Sequence, residues 1–161
     1  MCRRDVKSGA MGDGRIARLQ AEVNRLAAML NAPAIEVGIV LKNDDRNIYI
    51  DDDGRYHYDY WERGRQKFDR VGDIDEALYW FAKDAAFDVG GFFAARHSAP
   101  QQDSRRLLWA KQFELLNRLN PRWAKRCVRE TAAELRGWGL YADVELLPDI
   151  PNETVDEAAR S

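Results

Sequence analysis

The sequence predicts an α+β domain: one helix, a small antiparallel meander of about four strands, then three helices packed on one face. Three observations carry this reading. Apolar residues recur at helical three- and four-residue steps before residue 31 and again after residue 73. Between them the pattern alternates residue by residue, with Gly and Asp at the turns. Strands and helices are also segregated along the chain, which separates α+β from the alternating α/β class. The 161 residues match one ordinary globular domain. A domain of that size buries roughly two thirds of its unfolded surface and needs no disulfide or metal to fold.

The first helix is expected over Asp13 to Asn31, with Ile16, Leu19, Val23, Leu26, Ala27 and Leu30 on one stripe and Pro33 as its stop. Ile35 to Leu41 then reads as a strand, ended by the polar turn Asn43-Asp44-Asp45. Asn47 to Ile50 is a second short strand, and Asp52-Asp53-Gly54 a hairpin turn in which Gly accepts positive φ. The return strand, Arg55 to Arg63, puts Tyr56, Tyr58 and Tyr60 on one face and His57, Asp59 and Trp61 on the other. Gly64 punctuates it, and Gln66 to Val71 completes the meander. Its aromatic face is expected to pack on helices and its other face to stay wet.

Asp73-Ile74-Asp75-Glu76 is a capping-box pattern that opens the second helix, with Ile74, Leu78, Phe81, Ala85, Val89 and Phe92 on its stripe. Gly90-Gly91 is expected to kink or end it. After the loop Pro100–Asp103, a third helix covers Ser104 to Leu119, burying Leu108, Phe113, Leu115, Leu116 and Leu119. Asn120-Pro121 reads as a cap followed by Pro at the first helical position, starting a fourth helix that Gly137 ends. Trp138, Leu140 and Tyr141 are the apolar residues available to dock beyond it. The expected organisation is a flexible N-terminus over 1–12, a single domain over 13–147 and an acidic mobile tail over 148–161. Met11 is as good a natural start as Met1.

Composition narrows the function. Charged residues make up 32% of the chain, yet the formal net charge is only −2, which argues against a protein built around nucleic acid or an anionic membrane. The two cysteines, Cys2 and Cys127, suggest neither a disulfide framework nor a zinc site. No apolar h-region follows the basic start, and no run approaches the ~20 apolar residues of a membrane span, so a cytoplasmic location is expected.

The search for chemistry finds no active site. His57 and His97 belong to no nucleophile–base motif, and a structural role is favoured for both. Aligning Gly54 with the glycine of a calcium loop puts Tyr49 and Tyr60 where carboxylates are required, so that motif fails. Asp84 and Asp88 share a helix face without a third ligand, and a solvated pair is favoured. No cofactor or metal is expected. One feature is less bland: Arg118, Arg122, Lys125, Arg126 and Arg129 form a basic stripe near Trp109. It reads as a solvated face paired with Glu130 and Glu134, as a protein-docking surface, or, third, as a grip for RNA phosphates.

Three stretches bear a resemblance. They are Tyr56-His57-Tyr58-Asp59-Tyr60-Trp61-Glu62-Arg63-Gly64, then Asp73-Ile74-Asp75-Glu76-Ala77-Leu78-Tyr79-Trp80, and then Arg105-Arg106-Leu107-Leu108 with Lys111 to Leu116. In this order and spacing the chain resembles the immunity protein 63 family of bacterial polymorphic toxin systems over about residues 47–127. The resemblance implies a non-enzymatic protein that neutralises one partner toxin, encoded beside it, by binding. It transfers no catalytic residues and does not identify the toxin. Such an inhibitor needs roughly 800 Å² of contact surface with arginine or aromatic anchors. Candidate toxin contacts are the acidic turns, Asp44, Asp45, Asp51, Asp52 and Asp53, and the basic residues Arg105, Arg106, Arg122 and Arg126. Against a nuclease with a basic cleft the acidic turns would be the natural plug. The alternative reading is a small nucleic-acid-binding regulator using the fourth helix. A site assembled from His57, Asp59 and Glu62 is the enzymatic alternative.

Overall fold

A computed structural model describes the backbone of residues 7–150 and the side chains of residues 14–150. The expectations for residues 1–6 and for the tail from 151 lie outside these residues. The helix α1 (Lys7–Leu30) starts one and a half turns before Asp13. Leu19, Val23, Leu26, Ala27 and Leu30 are at most 2% exposed, while Ile16, expected on the same stripe, is 37% exposed. Asn31 takes the left-handed conformation (φ 53°) and the Ala32 N–H donates to Ala27 O at 2.9 Å, so the last turn is closed before Pro33.

The sheet has three strands among the described residues: β1 (Arg46–Ile50), β2 (Tyr56–Glu62) and β3 (Arg65–Gly72), antiparallel in the order β1-β2-β3. The turns follow the sequence. Gly54 has φ 80°, and Arg63 and Gly64 have φ 50° and 75°, the two left-handed residues a tight two-residue hairpin requires. Ile35–Leu41 is not a strand, and the reason is local. Gly38 turns the backbone at φ 89°, and side chains take the partners a ladder would use. The Gln20 amide donates to Ile35 O and accepts from Val37 N–H (2.9 and 2.8 Å). The Asn47 side chain does the same for Leu41 (3.0 and 2.8 Å). One backbone bond, Gly38 N–H to Ile48 O at 2.8 Å, remains to β1.

The chain divides into two compact units, one ending at Ala85 and one starting at Ala86, with α2 (Ile74–His97) contributing to both. In the first unit Ile48 and Tyr58 on the tyrosine face are fully buried. Tyr58 donates its hydroxyl to Asp84 of α2 at 2.7 Å. Burial raises the phenol's pKa well above its ordinary value, and the Asp84 charge and hydrogen bond add to the effect. Asp73 caps α2 through the Glu76 N–H (2.8 Å), as expected.

The second unit contains the rest of α2, α3 (Ser104–Leu119), α4 (Pro121–Gly137) and a 3₁₀ turn, Tyr141–Leu146. Gly90-Gly91 neither kinks nor ends α2, which runs unbroken to His97. Asn120 ends α3 and caps α4, accepting from the Arg122 N–H at 3.0 Å, with Pro121 in the first turn. The core joins Trp109, Val128, Ala132, Leu135 and Leu147. The residues that dock beyond α4 are Val144, Leu146, Leu147 and Ile150, not the expected ones. Trp138, Leu140 and Tyr141 are 70%, 43% and 69% exposed, because Gly139 (φ 76°) reverses the chain there.

Candidate functional site

The face of the sheet opposite the tyrosines is not wet at its centre. Alternation along β2 puts His57 and Asp59 on that face, and the β1–β2 register sets Asn47 opposite Asp59 and Tyr49 opposite His57. Asn47, His57 and Asp59 are buried. Asp59 accepts from Asn47 Nδ2 (2.8 Å), Trp61 Nε1 (3.1 Å) and Gln66 Nε2 (3.2 Å), so this buried carboxylate is fully hydrogen-bonded.

His57 lies between two further carboxylates. Its Nε2 is 2.9 Å from Asp51 Oδ2, its Nδ1 is 2.9 and 3.0 Å from the Asp69 oxygens, and Tyr49 stacks on the ring at 4.6 Å. A neutral imidazole has one N–H, so two ionised acceptors are both satisfied only by the imidazolium. Burial opposes that charge, but the hydrogen bonds and negative charges of Asp51 and Asp69 outweigh it, and the His57 pKa is raised. The Asp51 carboxyl falls to about 2, through the hydrogen bond to His57 first and the Arg55 N–H second.

The signs follow from linkage. The His57 contribution to stability is fully present below the unfolded histidine value of about 6.5 and is lost as pH rises through the raised folded value. The Asp51 contribution is present above the unfolded carboxylate range near 4 and is lost as pH falls towards about 2. Urea midpoints of the wild type are expected to decline from pH 6.5 to 9, and those of His57→Gln to stay level. An equal decline in the variant would remove His57 as the cause.

The acidic turns are less bare than their sequence suggests. Asp44 accepts from the Arg63 N–H at 3.0 Å and so holds the β2–β3 turn. Asp51 is engaged by His57 and by Arg55 (3.1 Å), and Arg55 also reaches Asp53 at 3.4 Å. Arg15 donates to Gly54 O at 2.7 Å, bringing a further cation to this turn. Asp52 and Asp53 remain exposed and Asp45 half-exposed.

In the second unit Arg105 is held by Asp103 (2.8 Å) and Asp143 (2.9 Å), which pins the 3₁₀ turn to the start of α3. Arg126 pairs with Glu130 at 2.6 Å and Arg118 with Glu114. Arg106 and Arg122 are exposed. Trp109, the aromatic a nucleic-acid grip would need, lies in the core at 9% exposure, so it is no stacking platform. The small apolar space between Trp109, Gln112, Cys127 and Leu147 belongs to that core.

The enzymatic candidates are not brought together. Asp59 is saturated by neutral donors, and Glu62 pairs with Lys67 at 3.1 Å. His97 donates its Nδ1–H to Phe93 O (2.8 Å) and stacks on that ring, so its role is structural. Asp84 serves Tyr58 and pairs with Arg46 at 3.6 Å. No group of three or more His, Cys, Asp or Glu among the described residues is placed to hold a metal, and no described helix is long and apolar enough to cross a membrane. Sequence reasoning missed Asn47 and Asp69. The β2 alternation was the available signal, but their positions depend on registers set by tertiary pairing, with a bulge at Tyr60/Trp61.

A family model described as Immunity protein 63 matches residues 52–133, just over half of the chain. The matched segment runs from the acidic turn through most of α4. No curated protein and no solved structure gives a significant match.

Proposed function

The chain belongs to the immunity protein 63 family, and from that premise we propose that it neutralises one toxin, encoded beside it, by direct binding in the cytoplasm. The family match is the observation that carries this reading. The structure is consistent with binding rather than turnover: His57, Asp51 and Asp69 satisfy one another instead of facing a nucleophile. Of the charged contacts expected from sequence, Asp45, Asp52, Asp53, Arg106 and Arg122 are the ones whose side chains are not spent on strong internal pairs, and they are proposed as the toxin-facing charges. Rim charges of this kind steer encounter and set salt dependence more than they set residence time.

Co-expression with the product of the upstream gene tests the proposal. Survival of the host together with co-purification at high salt is the expected result. Survival without a complex would replace binding by an activity that reverses damage. Neither survival nor complex would overturn the proposal. Asp52→Lys combined with Asp53→Lys is expected to slow association and change its salt dependence. Unchanged kinetics would take the acidic turn out of the interface.

A further inference from the structure

Three consecutive apolar residues, Ile39, Val40 and Leu41, are 43%, 39% and 52% exposed. A run of this kind on a surface is an aggregation hazard unless it serves binding. It begins at the outer edge of β1, where Gly38 donates to Ile48 O, and ends where the Asn47 side chain holds Leu41 and Lys42 O accepts from the Gly64 N–H of the β2–β3 turn at 3.0 Å. Among the described residues, no backbone hydrogen bond is made by Ile39 or Val40. Two β-branched residues with free main-chain groups therefore lie beside a sheet they do not join. Local preference and the isolated fold disagree here, and an added strand resolves the conflict.

The strip is also prepared for one. Gln20 holds the chain at Ile35 and Val37, and the buried Asn47 holds it at Leu41, so little further ordering is required of it on binding. The charge around it has a sign. Glu36 before the strip, Asp45 after it and Asp52 beyond β1 have no ion-pair partner among the described residues. The neighbouring cations are engaged: Arg15 at Gly54 and over the Tyr56 ring, Arg55 on Asp51 and Asp53, and Lys42 over Trp61 at 5.0 Å. Glu36 precedes the strip by three residues, Asp45 lies between it and β1, and Asp52 follows β1.

We propose that Ile39–Leu41 is a strand-addition site for the toxin, taking an extended toxin segment that is apolar in the middle and carries Lys or Arg at its ends. Main-chain hydrogen bonds supply the affinity, and the exposed side chains with the flanking carboxylates supply the selection. The inference rests on the proposed immunity function and lies outside the segment the family model covers.

The test uses the full chain and the catalytically inactivated product of the upstream gene, with calorimetry, thermal melting and amide hydrogen exchange. Val40→Pro removes a donor that makes no internal bond, so it is expected to weaken binding by roughly tenfold or more with melting unchanged. In the wild-type complex the amides of Ile39 and Val40, which make no bond in the free chain, are expected to exchange markedly more slowly, a readout that needs no variant. Glu36→Lys is expected to weaken binding, most at low salt. A wild type that binds and protects, with neither slowed exchange nor a Val40→Pro effect, overturns the site and leaves the immunity reading standing. A wild type that neither binds nor protects overturns both. A homodimer lost in Val40→Pro at unchanged toxin affinity would assign the edge to self-association and overturn the toxin assignment.

Discussion

Gly90→Ala is expected to destabilise the protein by about 1–3 kcal/mol, the range for forcing extra atoms into a packed contact. Gly91→Ala is expected to be neutral or to stabilise by up to about 1 kcal/mol. The two glycines are adjacent in one helix and differ only in what they face. A Cβ on Gly90 would stand 2.7 Å from the Leu108 carbonyl oxygen, a backbone atom of α3 that moves only if the helix moves. A Cβ on Gly91 would meet a Leu108 methyl at 3.8 Å, an ordinary contact. Helix preference favours alanine at both sites, so opposite signs isolate the close approach of α2 to α3. Urea unfolding of the two single variants decides it. Equal behaviour at both positions would show that the helices are not packed backbone to backbone at Gly90.

Asp59→Ala is expected to cost about 3 kcal/mol, because hydrogen bonds to a charged group are each worth about 1.5–3 kcal/mol and a buried donor left without one is penalised. The variant strips Asn47 Nδ2, Trp61 Nε1 and Gln66 Nε2 of a shared acceptor. The loss is larger than that of an exposed pair such as Glu62–Lys67, whose removal is expected to move stability by less than about 1 kcal/mol. Asp59→Asn should recover part of the loss, since one amide oxygen can still serve one side of the network. Faster amide exchange at Leu41 is the accompanying sign, because Asn47 links Asp59 to that segment. A midpoint within error of wild type for Asp59→Ala would mean that water replaces the carboxylate without penalty.

The candidate site was only partly readable before the fold. The turn chemistry at Gly54 and Gly64 and the caps at Asp73 and Asn120 act over a few residues, and the local pattern carried them. The alternation of β2 separated tyrosines from His57 and Asp59 correctly. Yet it assigned the second face to solvent, because polar side chains normally mark a wet face. Only register reveals that Asn47, Asp51 and Asp69 converge there and satisfy one another. The acidic turn looked bare for the same reason: Arg15, which faces it, is 39 residues from Gly54.

By itself the sequence determined the helix–meander–helices order, the helix caps, the two hairpin turns and the family, since periodicity, capping and turn geometry depend on neighbours within about one helical turn. Tertiary structure alone decided the rest. It made Ile35–Leu41 a side-chain-clamped segment instead of a strand, kept Gly90 as a contact instead of a break, and turned Trp138 and Tyr141 outward while Leu147 docked. Each of these outcomes depends on which distant group occupies the space or the hydrogen bond, and that is fixed only when the chain has closed on itself.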